Sequence, residues 1–240
     1  MQSHETTVTT AQQKLNSYWS IRSEPYDEFQ HARDASDGYR AVWVDLFTDV
    51  LPPEPCDVLD VGTGSGYVAI LLAELGHRVT ATDLAEGMLE RARQNSTHLL
   101  KAPRILHGDA VAPDFPEHSF DVVTNRYLMW TLREPEVALE SWRRMLRPGG
   151  MIALIDSPWY KDGFDNTENE YFSQFYDSDV RHALPLAAAT SIDDTRQLVE
   201  KAGFRDVTLT PLHALHEKSR ELGLEPRSGG QLQFLITAKR

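Results

Sequence analysis

A chain of 240 residues, 41% hydrophobic and 25% charged, carries enough apolar material for one packed core and too much for a disordered chain. Its 36 acidic residues against 24 basic ones leave a formal charge of -12, which speaks against a nucleic-acid partner, because phosphates require clustered Lys and Arg. Cys56 is the single cysteine, so neither an intrachain disulfide nor a cysteine zinc cluster can form. Arg143, Arg144 and Arg147 are read as the solvated face of a helix. Met1–Thr10 lacks the basic-then-apolar build of a signal peptide, and no apolar run approaches the roughly 20 residues of a membrane span. The expectation is a cytoplasmic protein, monomer or homodimer, that acts on a small molecule.

In chain order, Ala11–Ser20 and Tyr39–Val50 carry apolar residues at helical spacing, the second stopped by Leu51-Pro52-Pro53. Ser23-Glu24-Pro25-Tyr26-Asp27 between them is predicted to be turn-like, since proline restricts itself and its predecessor. The period then changes. Asp57–Val61 is a short apolar run ending in glycines, a buried strand. Helix Gly66–Leu75, strand His77–Thr82, helix Leu84–Asn95 and strands Arg104–His107 and Phe120–Thr124 follow. Helix Glu134–Leu146 and the tight turn Arg147-Pro148-Gly149-Gly150 lead into strand Met151–Ile155. Ser157–Thr190 is an aromatic, acidic segment without a strand, and the alternation resumes with helix Ile192–Ala202. Strands Asp206–Thr210 and Gln231–Ala238 close the chain without a strong crossover helix, so the last is expected to run antiparallel. The alternation predicts a single α/β domain with a mostly parallel sheet and helices on both faces.

The chemistry concentrates at Asp60-Val61-Gly62-Thr63-Gly64-Ser65-Gly66, where a strand ends in glycines and opens a helix. Glycines admit unusual backbone angles and let a ligand approach closely. Alone, the run fits a dinucleotide site, a nucleoside site or a tight turn. The dinucleotide fingerprint G-x-G-x-x-G, started at Gly62, requires glycine where Tyr67 stands, so the pyrophosphate register is broken. Asp83 ends the next strand, where an acid accepts hydrogen bonds from ribose hydroxyls, and Asp109 follows the third, within reach of an adenine amino group. Three acids on one sheet edge make a crevice for a ribose and a base with no phosphate, and favour a sulfonium cation.

Val58–Gly66, Ala81-Thr82-Asp83-Leu84 with Met88-Leu89, His107-Gly108-Asp109-Ala110 and Leu146–Gly150 together resemble the ordered motifs of the class I S-adenosylmethionine (SAM)-dependent methyltransferases. The likeness runs from about residue 56 to 156, with a weaker tail to 240. It implies a Rossmann-like sheet of seven strands with the last antiparallel, and SAM as cofactor. It further implies that Asp83 holds the ribose, Asp109 the adenine end, and Gly62 and Gly64 the methionine portion. Asp60, Thr63, Leu84, Met88, Gly108, Ala110, Asn125 and Arg126 complete the cofactor set by the same likeness. Residues 1–52 resemble the helical lid of small-molecule members in quinone and secondary-metabolite pathways. There Tyr18, Arg22 and Tyr26 would cover SAM, and Arg22 or Arg126 would meet its carboxylate. The layout expected is a lid at 1–52, a SAM-binding core at 56–156, a substrate-cover insert at 157–190, and a C-terminal helix and strands at 191–240.

Methyl transfer is an in-line displacement that needs alignment and dryness, and a base only when the acceptor keeps its proton. Trp130, Trp159, Tyr160, Tyr171, Phe175 and Tyr176 are the candidate acceptor wall, and His182 the histidine to examine as a base. Asn125-Arg126-Tyr127-Leu128 lacks the prolines of the nucleobase amino-methyltransferases, and no acidic cluster or paired-histidine spacing suggests a metal. Two other readings stay open at this level: a nicotinamide-dependent oxidoreductase, and a SAM-binding regulator without catalysis.

Overall fold

The computed structural model describes residues 2–160, 170–224 and 231–240; the side chains of 2–9 and 170 lie outside the description. The sheet is built from β1 (Asp57–Val61), β2 (Arg78–Asp83), β3 (Arg104–His107), β4 (Phe120–Arg126), β5 (Leu146–Asp156), β6 (Arg205–Pro211) and β7 (Phe234–Lys239). Their spatial order is β3-β2-β1-β4-β5-β7-β6. β1 pairs in parallel with β2 and β4, and β7 runs antiparallel to both β5 and β6, as the resemblance implied. The register of β4 on β5 jumps from Phe120↔Leu146 to Val122↔Met151, so the turn Arg147–Gly150 bulges out at the start of β5.

Alternate residues of the strands feed two cores. Leu59, Val123 and Ile152 face α5 (Pro135–Met145) and α8 (Asp193–Lys201), with Trp142 at the centre. Val58, Val122 and Ala153 face α2 (Tyr39–Val50), α3 (Tyr67–Glu74) and α9 (His213–Glu221). Both faces of the central strands are therefore dry, which is why they read as continuous apolar runs rather than alternating ones.

Two sequence expectations are corrected. The turn at Ser23–Asp27 is not a turn: α1 runs unbroken from Gln2 to Asp34 with Pro25 inside it. Pro25 is exposed, and the opposite face is pinned by tertiary bonds that outweigh the lost helical one. Asn95 donates to Asp27 at 2.8 Å and Arg91 pairs with Glu24 at 2.8 Å. The second correction is α9, a helix between β6 and β7, where only Leu215 and Ser219 are buried, so its apolar stripe is too thin to signal a helix. The insert holds α6 (Glu170–Phe175) and α7 (Ser178–His182); residues 161–169, with Phe164 among the insert's aromatics, lie outside the description. No helix among the described residues is long and apolar enough to cross a membrane.

α1 reaches the sheet by lying on α4 (Glu86–Asn95) at Gly87. A Cβ at Gly87 would stand 2.4 Å from the Ser20 carbonyl oxygen, a backbone atom that cannot step aside. Gly87→Ala is therefore expected to lift α1 from α4 and cost about 1–3 kcal/mol of stability. Urea unfolding and the rate of proteolytic cleavage within α1 check it: both should worsen, and an unchanged midpoint with an uncut α1 would refute the contact.

Candidate functional site

Parallel strands deliver their carboxyl ends to one edge, and there a cavity of about 350 Å³ opens beneath α1, within the range of small-molecule sites. Its floor is Asp60, Gly62, Thr63 and Gly64 after β1, Asp83, Leu84 and Ala85 after β2, and Gly108–Val111 after β3. The segment after β4 supplies Arg126, Tyr127, Leu128 and Trp130, and Gln12, Leu15, Asn16, Trp19 and Tyr26 on α1 form the roof.

The glycine turn is shaped as its composition demands. Gly62 and Gly64 have φ of 64° and 57°, in the left-handed region, and a Cβ on Gly62 would meet Leu128 Cδ1 at 2.5 Å. Asp83 braces the turn: its Oδ2 accepts the Gly64 N–H at 2.9 Å and its Oδ1 the Ala85 N–H at 2.9 Å. Burial raises the pKa of Asp83, while these amides and the His107 charge resist the rise. Asp60 is nearly inaccessible and accepts the Thr63 hydroxyl at 2.6 Å. Burial pushes its pKa up to about 7. Asp109 is held from both sides, with Oδ1 on the Val111 N–H at 2.9 Å and Oδ2 on Arg133 at 2.6 Å.

Arg126 is unlike the other arginines of the site. Its guanidinium lies over the rings of Trp43 (5.3 Å), Tyr67 (4.7 Å) and Tyr127 (4.7 Å), and donates to Tyr26 Oη at 3.3 Å. One of its terminal nitrogens is buried without a partner, and no carboxylate stands within 4.0 Å of it among the described residues. Burial works against its charge, but the surrounding tyrosine oxygens keep its pKa above the ordinary range.

Of the residues expected to meet a cofactor, Tyr26, Asp60, Gly62, Thr63, Gly64, Asp83, Leu84, Met88, Gly108, Asp109, Ala110 and Arg126 line this cavity. Tyr18, Arg22 and Asn125 do not. Tyr18 is buried against Trp19, Phe172 and Tyr176, and Arg22 lies beside it, which is packing of the lid on the insert rather than a wall. Asn125 is wholly buried under Met129, its amide nitrogen 3.8 Å from the Met129 sulfur. Of the aromatic set, Trp130, Trp159 and Tyr160 reach the cavity. Tyr171, Phe175 and Tyr176 are behind that wall, clustered on Tyr18 at ring separations of 5.9, 5.7 and 5.2 Å. His182 is not brought to the cavity: it is exposed and bonds its own helix at the Ser178 carbonyl. Gln12, Asn16 and Arg133 went unread. The first two recur with Trp19 on one stripe of α1, within the predicted helix Ala11–Ser20, but as polar residues they fall outside the apolar period that marks it.

Residues 59–154 match the family model described as a methyltransferase domain. Over 171 residues the chain is 30% identical to a ubiquinone/menaquinone biosynthesis C-methyltransferase of Ruegeria sp. (strain TM1040), covering 68% of this chain and 66% of that one. It is 31% identical over 156 residues to a demethylmenaquinone methyltransferase of Clavibacter sepedonicus, covering 60% and 62%. The chain thus spans just under two thirds of the length of these relatives. Among solved structures, a possible histamine N-methyltransferase of Thermotoga maritima aligns with a TM-score of 0.61 at 17% identity, over 93% of this chain and 98% of that one. The cyclase SpnF aligns at 0.68 and 15% identity, over 94% and 95%. At such identities these two establish the fold alone.

The raised pKa of Asp60 has a sign that can be measured. Between about pH 4, where an unfolded carboxyl titrates, and pH 7, the folded state keeps a proton that the unfolded state has lost, so this carboxyl's contribution falls as pH rises through that window. Asp60→Asn has no such titration. The stability of the wild type relative to Asp60→Asn is expected to improve as pH drops from 8 to 5 in denaturant titrations; a pH-independent gap would show that Asp60 is ionised throughout.

Proposed function

We propose that this chain, a member of the class I SAM-dependent methyltransferases, binds SAM beneath α1 and passes its methyl group to a small aromatic acceptor entering beside Trp130, Trp159 and Tyr160. The observation that carries the reading is the enclosed guanidinium of Arg126, which has no carboxylate partner among the described residues, in a cavity whose acids suit a ribose and a base. A charge withdrawn from water needs an opposite one, and the α-carboxylate of SAM supplies it. Bound SAM contributes a methyl group on a sulfonium, reactive toward an oxygen, nitrogen or activated carbon by in-line displacement.

The chain's own residues divide the remaining work. Asp83, already fixed by two amides, has lone pairs left for the ribose hydroxyls. Gly108, Asp109 and Ala110 border the place for adenine, with Arg133 balancing the Asp109 charge. Gly62 and Gly64 admit the methionine chain against bare backbone. α1 with Trp19 and Tyr26 excludes water. No histidine, lysine, cysteine or glutamate lines the cavity among the described residues, and its aspartates are held by donors of the strand-end turns and by Arg133; on this reading proximity and alignment carry the rate and the acceptor is nucleophilic by its own acidity. Planar ring hydroxyls and the carbon beside them meet that condition, and the quinone-pathway names of the relatives point to the same chemistry. Hydroxylated naphthalenes are the acceptors to try first.

Mass spectrometry of such acceptors after incubation with SAM is expected to show a methylated product, and no methylation across hydroxylated, amino and enolic rings would refute the acceptor class. Arg126→Met is expected to weaken S-adenosylhomocysteine about tenfold or more while leaving 5′-methylthioadenosine, which lacks the carboxylate, unchanged in calorimetry. Equal losses for both ligands would remove Arg126 from the carboxylate role. Asp83→Asn should weaken both ligands alike.

A further inference from the structure

The end of β5 holds a buried carboxylate just outside the cavity lining. Asp156 is 2% exposed. Its Oδ1 accepts two hydrogen bonds, from the Ser157 N–H at 2.8 Å and from the Trp159 indole N–H at 2.6 Å. Its Oδ2 is buried and unbonded, and the backbone N–H groups of Met129 and Trp130 stand near enough to favour the charged form. Burial nonetheless dominates and pushes the pKa up to about 7. An acid in this place is costly to the fold, so what it holds matters.

It holds the two sides of the acceptor wall. Trp159 stands edge-on to Tyr127 with ring centroids 4.8 Å apart, and Gln231 supports its carbonyl at 3.3 Å. Tyr127 sits at φ 61°, a strained angle for a non-glycine residue, fixed by its N–H on the Ile155 carbonyl at 2.7 Å. The Tyr127 carbonyl in turn accepts the Trp130 indole N–H at 2.9 Å. The last two residues of β5, Ile155 and Asp156, thus clamp both the turn after β4 and Trp159, and both carry cavity-lining rings.

We propose that Asp156 is a positioning residue that sets the gap between Trp159 and Trp130, and hence the fit of a flat acceptor between them. The role rests on the reading of this wall as the acceptor side. The bond from the indole N–H to this carboxyl is short, at 2.6 Å, and directional. A neutral amide at this position still accepts from Trp159 but more weakly, and its NH₂ group would face the N–H groups of Met129 and Trp130, donor against donor.

The test uses the full chain labelled with ¹⁵N-tryptophan, with the Trp159 indole resonance identified by its loss in Trp159→Phe. In Asp156→Asn that resonance is expected to move upfield, and further in Asp156→Ala, as the bond weakens and vanishes. In turnover, Asp156→Asn and Trp159→Phe should each raise the acceptor KM about tenfold, with kcat changed less and the KM for SAM within about twofold. An unmoved indole resonance in a folded Asp156→Asn, or an acceptor KM unchanged in both variants, overturns the proposal. If Asp156→Asn does not fold, Trp159→Phe alone decides: an unchanged acceptor KM there overturns it, and a raised one supports it. The resonance is read without turnover, so a wild type that methylates nothing refutes the acceptor reading above while the Asp156–Trp159 bond is still judged by its own signal.

Discussion

The buried guanidinium of Arg126, which faces no carboxylate among the described residues, organises this site. Arg126 ends the central strand β4, and its planar cation is met by the faces of Trp43 from α2, Tyr67 from α3 and Tyr127 from the turn after β4. Tyr26 on α1 touches it from above. Four elements thus converge on one charge, and aromatic quadrupoles supply part of what water would. They do not supply a counter-ion. The cavity is lined by this cation together with the acids that follow β1, β2 and β3, an electrostatic pattern that a zwitterionic sulfonium ligand completes.

The rest of the architecture serves to keep that cavity narrow and roofed. Left-handed glycines at 62 and 64 bring bare backbone to the floor, and Asp83 ties the turn to the next strand. The roof depends on a backbone contact beside the cavity, where Gly87 lets the Ser20 carbonyl lie against α4. On the insert side, Lys14 pairs with Asp177 and Trp19 donates to Tyr176 at 3.1 Å, so α1 is held along both flanks. The lid and the insert aromatics form one packed cluster with Tyr18 at its centre.

How far the amino-acid sequence discloses this follows from the range of each interaction. Strand-end acids and the glycine turn are local patterns, so β1 to β5, Gly62, Gly64 and Asp83 were legible without coordinates. Features decided by distant partners were not. Pro25 reads as a break until Asn95, Arg91 and Gly87 are seen to hold the helix through it. Asp109 reads as a free acid until Arg133, from the far side of β4, is found 2.6 Å away. Aromatic composition marked the insert but could not separate Trp159 and Tyr160, which line the cavity, from Tyr171, Phe175 and Tyr176, which pack behind it. His182 drew notice as a titratable group in that insert, yet it faces solvent.

The most direct measurement of the account is a crystal structure of the chain with S-adenosylhomocysteine. It should place the ligand carboxylate within hydrogen-bond distance of the Arg126 guanidinium, with the ribose hydroxyls on Asp83 and the sulfur open toward Trp130 and Trp159. A ligand whose carboxylate faces solvent while Arg126 stays unpaired, or one bound outside the cavity beneath α1, would contradict it.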